Sequence, residues 1–390
     1  MPVRLVPMEP TDWAASSFLQ SGFWGRFKSE FGWRAEAWRT FPDDAPSFIL
    51  SVLIRPLRAN RCFAYIPHGP TLAVAPDRQG AFLVDLAQSL ATVLPPNCVF
   101  IRFDPSWHCV EKPDQNETPD RIDTDPLQGV QEPALIGTRV GEGRKVIPER
   151  PQYSRPLRKA SDVQPPDTVI VDLSPEPDLI LAAMKPKWRY NIKLAAKKNV
   201  IVSEEGLSGI DVFYDLYETT SRRDGIALHP KAYYKRLIEC AIARDSATAS
   251  DSPPVDVRLW TARHEGQALA SIITLFYGNQ AVYLYGASSD EKRNRMPAYA
   301  LQWAAMMAAR DAGCTFYDLY GIPPVDDRGH PMAGLYRFKT GFGGLILHYA
   351  GAWDYVFQPV AYAAFRAIER LRLFWHKVIK KRLRSRVVPS

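Results

Sequence analysis

No stretch of this chain approaches the roughly 18 consecutive apolar residues of a membrane-spanning helix, although 46% of its 390 residues are apolar. The amino terminus, MPVRLVPMEPTDW, contains no apolar h-region of a secretory leader, so a cytosolic protein is expected. Cysteine is sparse. Cys62, Cys98, Cys109, Cys240 and Cys314 are odd in number and never form a CxxC pair, which argues against a disulfide framework and a zinc knuckle and leaves buried thiols as the expectation. The seven His include neither an HExxH nor a close pair, so no metal site is signalled, and no cofactor is expected. Spacing reveals no Ser/His/Asp or Cys/His arrangement either.

One absence is local. From Met184 to Val200 the chain reads MKPKWRYNIKLAAKKNV, with six Lys or Arg between Lys185 and Lys198 and no acid. At helical spacing Lys185, Arg189, Lys193 and Lys197 recur every fourth residue and form one basic ridge. A charge run is usually a solvated face. Solvated faces normally interleave acids, however, and here Trp188 and Tyr190 are interleaved, which suits a polyanion such as an RNA backbone or a pyrophosphate. The net charge of +7 is otherwise concentrated at the carboxyl end, where Arg366 to Ser390 holds nine Lys or Arg against the single Glu369. Within Val360 to Leu383, Ala364, Ile368, Leu371, Trp375 and Val378 fall near one helical face, with Arg370, Lys377, Lys381 and Arg384 largely elsewhere. Such a basic amphipathic helix fits contact with the membrane inner surface through 360–386, a packed terminal helix, or tRNA.

In chain order, residues 11–31 read as a helix capped by Thr11 or Asp12. Strand-like runs follow at Phe48–Leu57 and Arg61–Pro67, then a helix over 78–93 and a strand at 98–105. The stretch from Asp104 to about Pro166 is polar and has no sustained period. DTVIVDL (167–173) resumes regular structure, and 211–226 and 229–243 read as helices. The opening order then returns: strands at 255–263, 267–278 and 280–288, a helix over 297–311 with Pro297 in its first turn and Gly313 at its stop, and a strand at 314–321. LILHYAGAW is taken as one further strand. Cys98-Val-Phe and Cys314-Thr-Phe open equivalent strands, so the chain looks internally duplicated.

Strands followed by a helix and a further strand form the pattern of the GNAT acyltransferase fold. The expected class is therefore α/β, with two tandem GNAT-like subdomains with mixed sheets, one over 1–165 completed by 346–390 and one over 166–345. An acyl-CoA enzyme of this fold would show an Arg/Gln-x-x-Gly-x-Gly/Ala loop opening a helix. Gly341-Phe-Gly-Gly precedes a strand and Gly141-Glu-Gly lies in a polar stretch, so neither supplies it, and a donor other than acyl-CoA is favoured.

Four segments carry a resemblance: MKPKWRYNIKLAAKK, YLYGASSDEKRNRMPAYALQW (283–303), CTFYDLYGIPP (314–324) and GLYRFKTGFGG (334–344). Together they resemble the FemABX peptidyltransferases over most of residues 10–357, in the compact form that has no helical arm near 200–210. The resemblance implies transfer of an amino acid from aminoacyl-tRNA onto the stem peptide of a peptidoglycan precursor. Lys339, in FKTGFGG, reads alone as a surface lysine beside a glycine turn or as a stabiliser of developing negative charge; the resemblance implies the second. Asp104 ends IRFDP and is a turn former or a base, with Asp318 the competing carboxylate. Arg26 and Lys28 in FWGRFK, and Arg222 and Arg223 in SRRDGI, match family segments that would anchor acceptor phosphate. Tyr283 and Tyr285, beside Gly286, are packed tyrosines or line a stem-peptide groove. The ridge of Lys185, Arg189, Lys193 and Lys197 would face tRNA. An acyl-CoA N-acetyltransferase of the same fold and a non-catalytic RNA- or membrane-associated scaffold are the rival readings.

Overall fold

The computed structural model describes residues 3–8, 13, 15–111, 150–245, 253–327 and 329–374. The first half contains β1 (Arg4–Pro7), α1 (Gly22–Ser29), β2 (Arg34–Phe41), β3 (Phe48–Leu57), β4 (Arg61–Pro67), α2 (Gln79–Ala91), β5 (Cys98–Asp104), β6 (His108–Glu111) and the short β7 (Arg158–Lys159). After it come β8 (Asp167–Asp172), α3 (Pro177–Ala183), α4 (Pro186–Lys197), β9 (Ile201–Glu204), α5 (Ile210–Asp224) and α6 (Lys231–Asp245). The chain continues through β10 (Val255–His264), β11 (Gln267–Tyr277), β12 (Gln280–Ser288), α7 (Pro297–Asp311), β13 (Phe316–Asp318), α8 (Ala333–Thr340), β14 (Leu345–Tyr349), β15 (Trp353–Val356) and α9 (Pro359–Phe374).

Two mixed sheets result, and the duplication is visible in their pairing. In the first, β2, β3 and β4 form an antiparallel meander, α2 crosses over, and β5 pairs parallel to β4. In the second, β10, β11 and β12 form the meander, α7 crosses over, and β13 pairs parallel to β12. The full orders are β1-β2-β3-β4-β5-β15-β7 and β6-β14-β8-β13-β12-β11-β10-β9. Each crossover helix packs one apolar face on its sheet: Leu83, Leu86 and Leu90 of α2 against Ile54, Ile66 and Ile101, and Leu301, Ala305 and Met306 of α7 against Ile272 and Tyr317. A third core spans both halves, joining Phe23, Phe27 and Tyr65 to Phe213, Tyr234, Ile273 and Leu275. Four of the five cysteines are buried thiols, with Cys240 half-buried.

Several boundaries differ from the sequence reading. The caps expected at Thr11 and Asp12 lie outside the described residues. Within the 11–31 stretch, a short 3-10 turn at Phe18–Gln20 is followed by α1, because Ser21 adopts an extended backbone and its hydroxyl caps the helix by accepting from the Trp24 amide at 3.3 Å. LILHYAGAW is two strands in different sheets, β14 and β15, separated at Gly351, whose φ of +68° turns the chain. The strand expected to reach residue 321 stops at Asp318, and Tyr320 takes the left-handed φ of +59°.

Candidate active site

The FKTGFGG lysine sits on a helix. In α8, Ala333, Tyr336 and Lys339 recur every third residue and are the buried positions, so the same stripe that anchors the helix carries a lysine inward. Lys339 is 5% exposed, and its Nζ donates to the carbonyls of Tyr320 (3.0 Å) and Gly321 (2.9 Å). Those carbonyls are available because β13 has ended and the chain turns through the left-handed Tyr320. The ammonium lies 5.2 Å from the centre of the Tyr283 ring. Burial draws the Lys339 pKa down to about 7, opposed by the Asp318 charge. An ammonium has three donors, so two carbonyls leave one N–H uncommitted by these bonds.

Asp318 is the carboxylate that shares the environment of Lys339. It ends β13, is 3% exposed, and accepts from the Thr168 hydroxyl and from the Tyr320 amide (2.7 Å). Asp104 ends β5, the equivalent strand of the other sheet, and is 2% exposed. The Tyr65 hydroxyl (2.9 Å) and the Gln164 amide (3.2 Å) both donate to its Oδ2. Burial raises each of the two carboxyl groups to about pKa 6. Gln164 bridges the two halves: its side-chain amide donates to the Tyr65 hydroxyl at 3.3 Å, and its carbonyl oxygen accepts from the Tyr320 hydroxyl. Tyr320 therefore touches Lys339 through its backbone carbonyl, Asp318 through its amide and, by way of Gln164, the Asp104 network. It is a non-glycine residue in a sparsely populated conformation at a charged site, where strain of this kind concentrates.

Lys28 reaches the same region from α1. Its Nζ lies 5.5, 5.8 and 5.4 Å from the ring centres of Trp24, Trp33 and Tyr233, within a cage of three aromatics. Among the described residues no carboxylate pairs with it; burial, with the Arg55 charge second, pulls its pKa to about 8. Tyr233 packs 5.7 Å from Tyr234, and Trp33 lies 6.2 Å from the ring of Tyr65, whose hydroxyl donates to Asp104.

Tyr283 and Tyr285 are two apart, so an ideal strand would put them on one face. A bulge shifts the β11–β12 register at this point: Ile273 opposes Tyr285, and Thr274 opposes Tyr283. Tyr283 consequently packs in the core of the second sheet near Lys339, while Tyr285 joins the inter-half core, 5.0 Å from Tyr234. Gly286 makes room for this: a Cβ there would lie 1.7 Å from the Tyr283 hydroxyl oxygen.

Lys28, Asp104, Tyr283, Tyr285 and Lys339 are thus joined by one continuous network of contacts. The remaining phosphate candidates are placed differently. Arg26 is exposed on α1. Arg222 is exposed and donates to the Thr219 hydroxyl at 3.0 Å. Arg223 is committed to Asp290 (2.7 Å), Asp224 (2.8 Å) and the Ser288 carbonyl (3.2 Å), which pins the end of α5 to the end of β12.

The basic stretch is helical, with Lys185 as its cap and Pro186 at its first position. The every-fourth-residue ridge needs correction. Arg189 turns toward α3 and caps it by donating to the carbonyls of Ala182 (3.1 Å) and Met184, so the exposed face is Lys187, Tyr190, Lys193 and Lys197, with Lys185 exposed at the cap. Trp188 is not part of that face. Its indole donates to the Phe338 carbonyl at 2.8 Å, and the Lys185 amide donates to the Gly341 carbonyl at 2.9 Å, so α4 is clamped to the element carrying Lys339.

Residues 153–240 and 258–370, together more than half of the chain, match the family model described as the FemAB family. The chain belongs to the FemAB family. Among curated relatives, it is 25% identical over 258 residues to the lipid II:glycine glycyltransferase of Staphylococcus saprophyticus, covering 53% of this chain and 62% of that protein. To the protein of the same description from Staphylococcus epidermidis it is 24% identical over 271 residues, covering 56% and 65%. The chain thus spans less than two thirds of these relatives. The crystal structure of FemX superposes with a TM-score of 0.65 at 20% identity, covering 91% of this chain and 96% of FemX, and so shares its fold.

Sequence reasoning missed Tyr320, Gln164, Thr168 and Tyr65. The only signal was the duplication, which puts Asp104 and Asp318 at equivalent strand ends; nothing in periodicity reports a left-handed tyrosine or a bridging glutamine.

Proposed function

We propose that this FemAB-family chain is an aminoacyltransferase that moves an amino acid from aminoacyl-tRNA onto the stem-peptide amine of a lipid-linked peptidoglycan precursor. The observation that carries the reading is the buried Lys339 ammonium, with Asp318 beside it and a second network at Asp104. It is joined to membership of a family whose relatives carry the name lipid II:glycine glycyltransferase. In the reaction the amine nitrogen attacks the ester carbonyl carbon, a C–N bond forms, the ester C–O bond breaks, and the tRNA ribose hydroxyl leaves. Asp104 takes the amine proton through the oxygen outside its Tyr65 and Gln164 bonds, and the proton passes to the leaving oxygen. Lys339 offers its third N–H to the carbonyl oxygen as it becomes an oxyanion, in a site dry enough for that charge to count. Asp318 supports the charge on Lys339. Lys28, a cation without a carboxylate partner among the described residues, meets acceptor phosphate, and the Lys187, Tyr190, Lys193 and Lys197 face of α4 meets the tRNA backbone.

The test is transfer of radiolabelled amino acids from a charged tRNA mixture to lipid-linked and nucleotide-linked precursors. Transfer that disappears in Lys339→Ala is expected. Absence of transfer to either acceptor, with RNA binding retained, would replace this reading with that of a scaffold. Exchanging Lys193 and Lys197 for Glu is expected to weaken tRNA binding, and unchanged affinity would remove α4 from the tRNA surface.

A further inference from the structure

Among the described residues the inner face of α9 is packed on the first sheet. The Phe365 ring packs tilted against Phe100 with centres 4.9 Å apart, the Tyr362 hydroxyl donates to Asp354 at 2.9 Å, and Glu369 accepts from the Arg102 guanidinium at 3.1 Å. The outer face is apolar. Val360 is 86% exposed, Ile368 52% and Leu371 67%, and Ala364 and Ala367 complete a stripe whose exposed charge among the described residues is Arg370. Spacings of three and four residues put these side chains along one side of a helix of 16 residues. The inner contacts fix the helix rotation, so this stripe cannot turn inward without breaking the Arg102 network. Monomeric soluble proteins rarely leave such a stripe bare.

The sequence just beyond it supplies the sign of what covers it. Residues 375–390 contain Lys377, Lys380, Lys381, Arg382, Arg384 and Arg386 and no acid. An apolar face followed directly by cations matches a surface that is apolar within and negative at its rim. We infer that the outer face of α9 docks on an anionic lipid bilayer, lying in the interface with Val360, Ile368 and Leu371 among the acyl chains. Among the described residues no helix is long and apolar enough to cross a membrane. The docking is independent of the transfer reaction and stands or falls separately.

The experiment is sedimentation of the full chain with vesicles of phosphatidylcholine alone and of equimolar phosphatidylcholine and phosphatidylglycerol. Binding to the anionic vesicles, weakened by added salt, is expected. The triple substitution V360D/I368D/L371D is expected to reduce binding at least tenfold, as is the charge reversal K380E/K381E/R382E. The first set lies on exposed positions, so an unchanged thermal unfolding midpoint checks that the fold survives. Equal binding by V360D/I368D/L371D and the unmodified chain, or no binding to anionic vesicles, overturns the inference. Light scattering that shows a dimer converted to monomer by the same triple substitution also overturns it, because a second copy would then be what covers the face.

Discussion

Burial moves Lys339 and the two carboxyl groups toward one another on the pH scale, and that fixes how the rate should respond. In the proposed reaction Asp104 must be ionised to take a proton and has a pKa of about 6, while Lys339 must be charged and has a pKa of about 7. The expected kcat/KM profile is therefore a narrow bell with limbs near those values. Asp104→Asn should lower the rate by about 10²–10⁴-fold and abolish the acid limb. Asp318→Asn should instead move the alkaline limb downward, because Lys339 loses the anion that supports its charge; if Asp318→Asn removes the acid limb, the two roles are exchanged. The same lysine has a signature in stability. Its folded pKa lies below its unfolded value, so between about pH 7 and 10.5 the unfolded chain binds a proton that the folded chain lacks, and stability rises with pH through that window. From pH 7 to 9 the term is about 2 kcal/mol. Urea titrations of the unmodified chain and Lys339→Met at both pH values should differ by that amount, and parallel behaviour would place Lys339 in a wetter site.

At the scale of elements, α8 shows how much one helix can depend on its neighbour. Gly341, at its C-cap, has an ordinary φ of −74°, so its small size matters rather than its freedom: a Cβ there would lie 2.2 Å from the Trp188 ring of α4. Gly341→Ala should displace Trp188 and cost about 1–3 kcal/mol. Gly334, exposed in the same helix, is the contrast, because a Cβ there would meet no atom within 4 Å. Gly334→Ala should stabilise by roughly 0.5–1 kcal/mol through helix propensity. Denaturant midpoints that move in the same direction for both would contradict this account. These elements also mark where the sequence was readable. The meander strands other than β2, both crossover helices and α4 to α6 were legible because their apolar periods are long and their breakers strong. The helical state of α8 was hidden by the glycines that follow it. β2 was missed because RAEAWRTF alternates weakly, and the bulge that separates Tyr283 from Tyr285 leaves no trace in a two-residue period. At the site, the charged residues could be nominated from motifs, but Gln164 and Tyr320 act through backbone turns and cross-sheet reach that no local pattern encodes.

At the scale of the molecule, the two sheets are not sequential modules. β6, from the first half of the chain, pairs with β14 in the second sheet, and β15, from the far end, pairs with β5 in the first. Asp104 and Asp318 therefore hold their geometry through strands that cross between the halves. The seam is secured by Arg102 of β5, whose guanidinium donates to both oxygens of Asp354 in β15 at 2.8 and 2.9 Å and to Glu369 of α9. Asp354 is fully buried, so removing the arginine leaves a carboxylate without its cation in a dry place. Such breakage costs about 3–5 kcal/mol. Arg102→Ala should lower stability by that amount and, because strands are exchanged, should lower the whole transition. Calorimetry should record one endotherm for the unmodified chain and one, at lower temperature, for the variant. An Arg102→Ala profile that splits, with the second sheet melting at its original temperature, would show that each half folds on its own despite the exchanged strands. The site between the two carboxylates would then be an assembly of separate units, with the third core too weak to couple them.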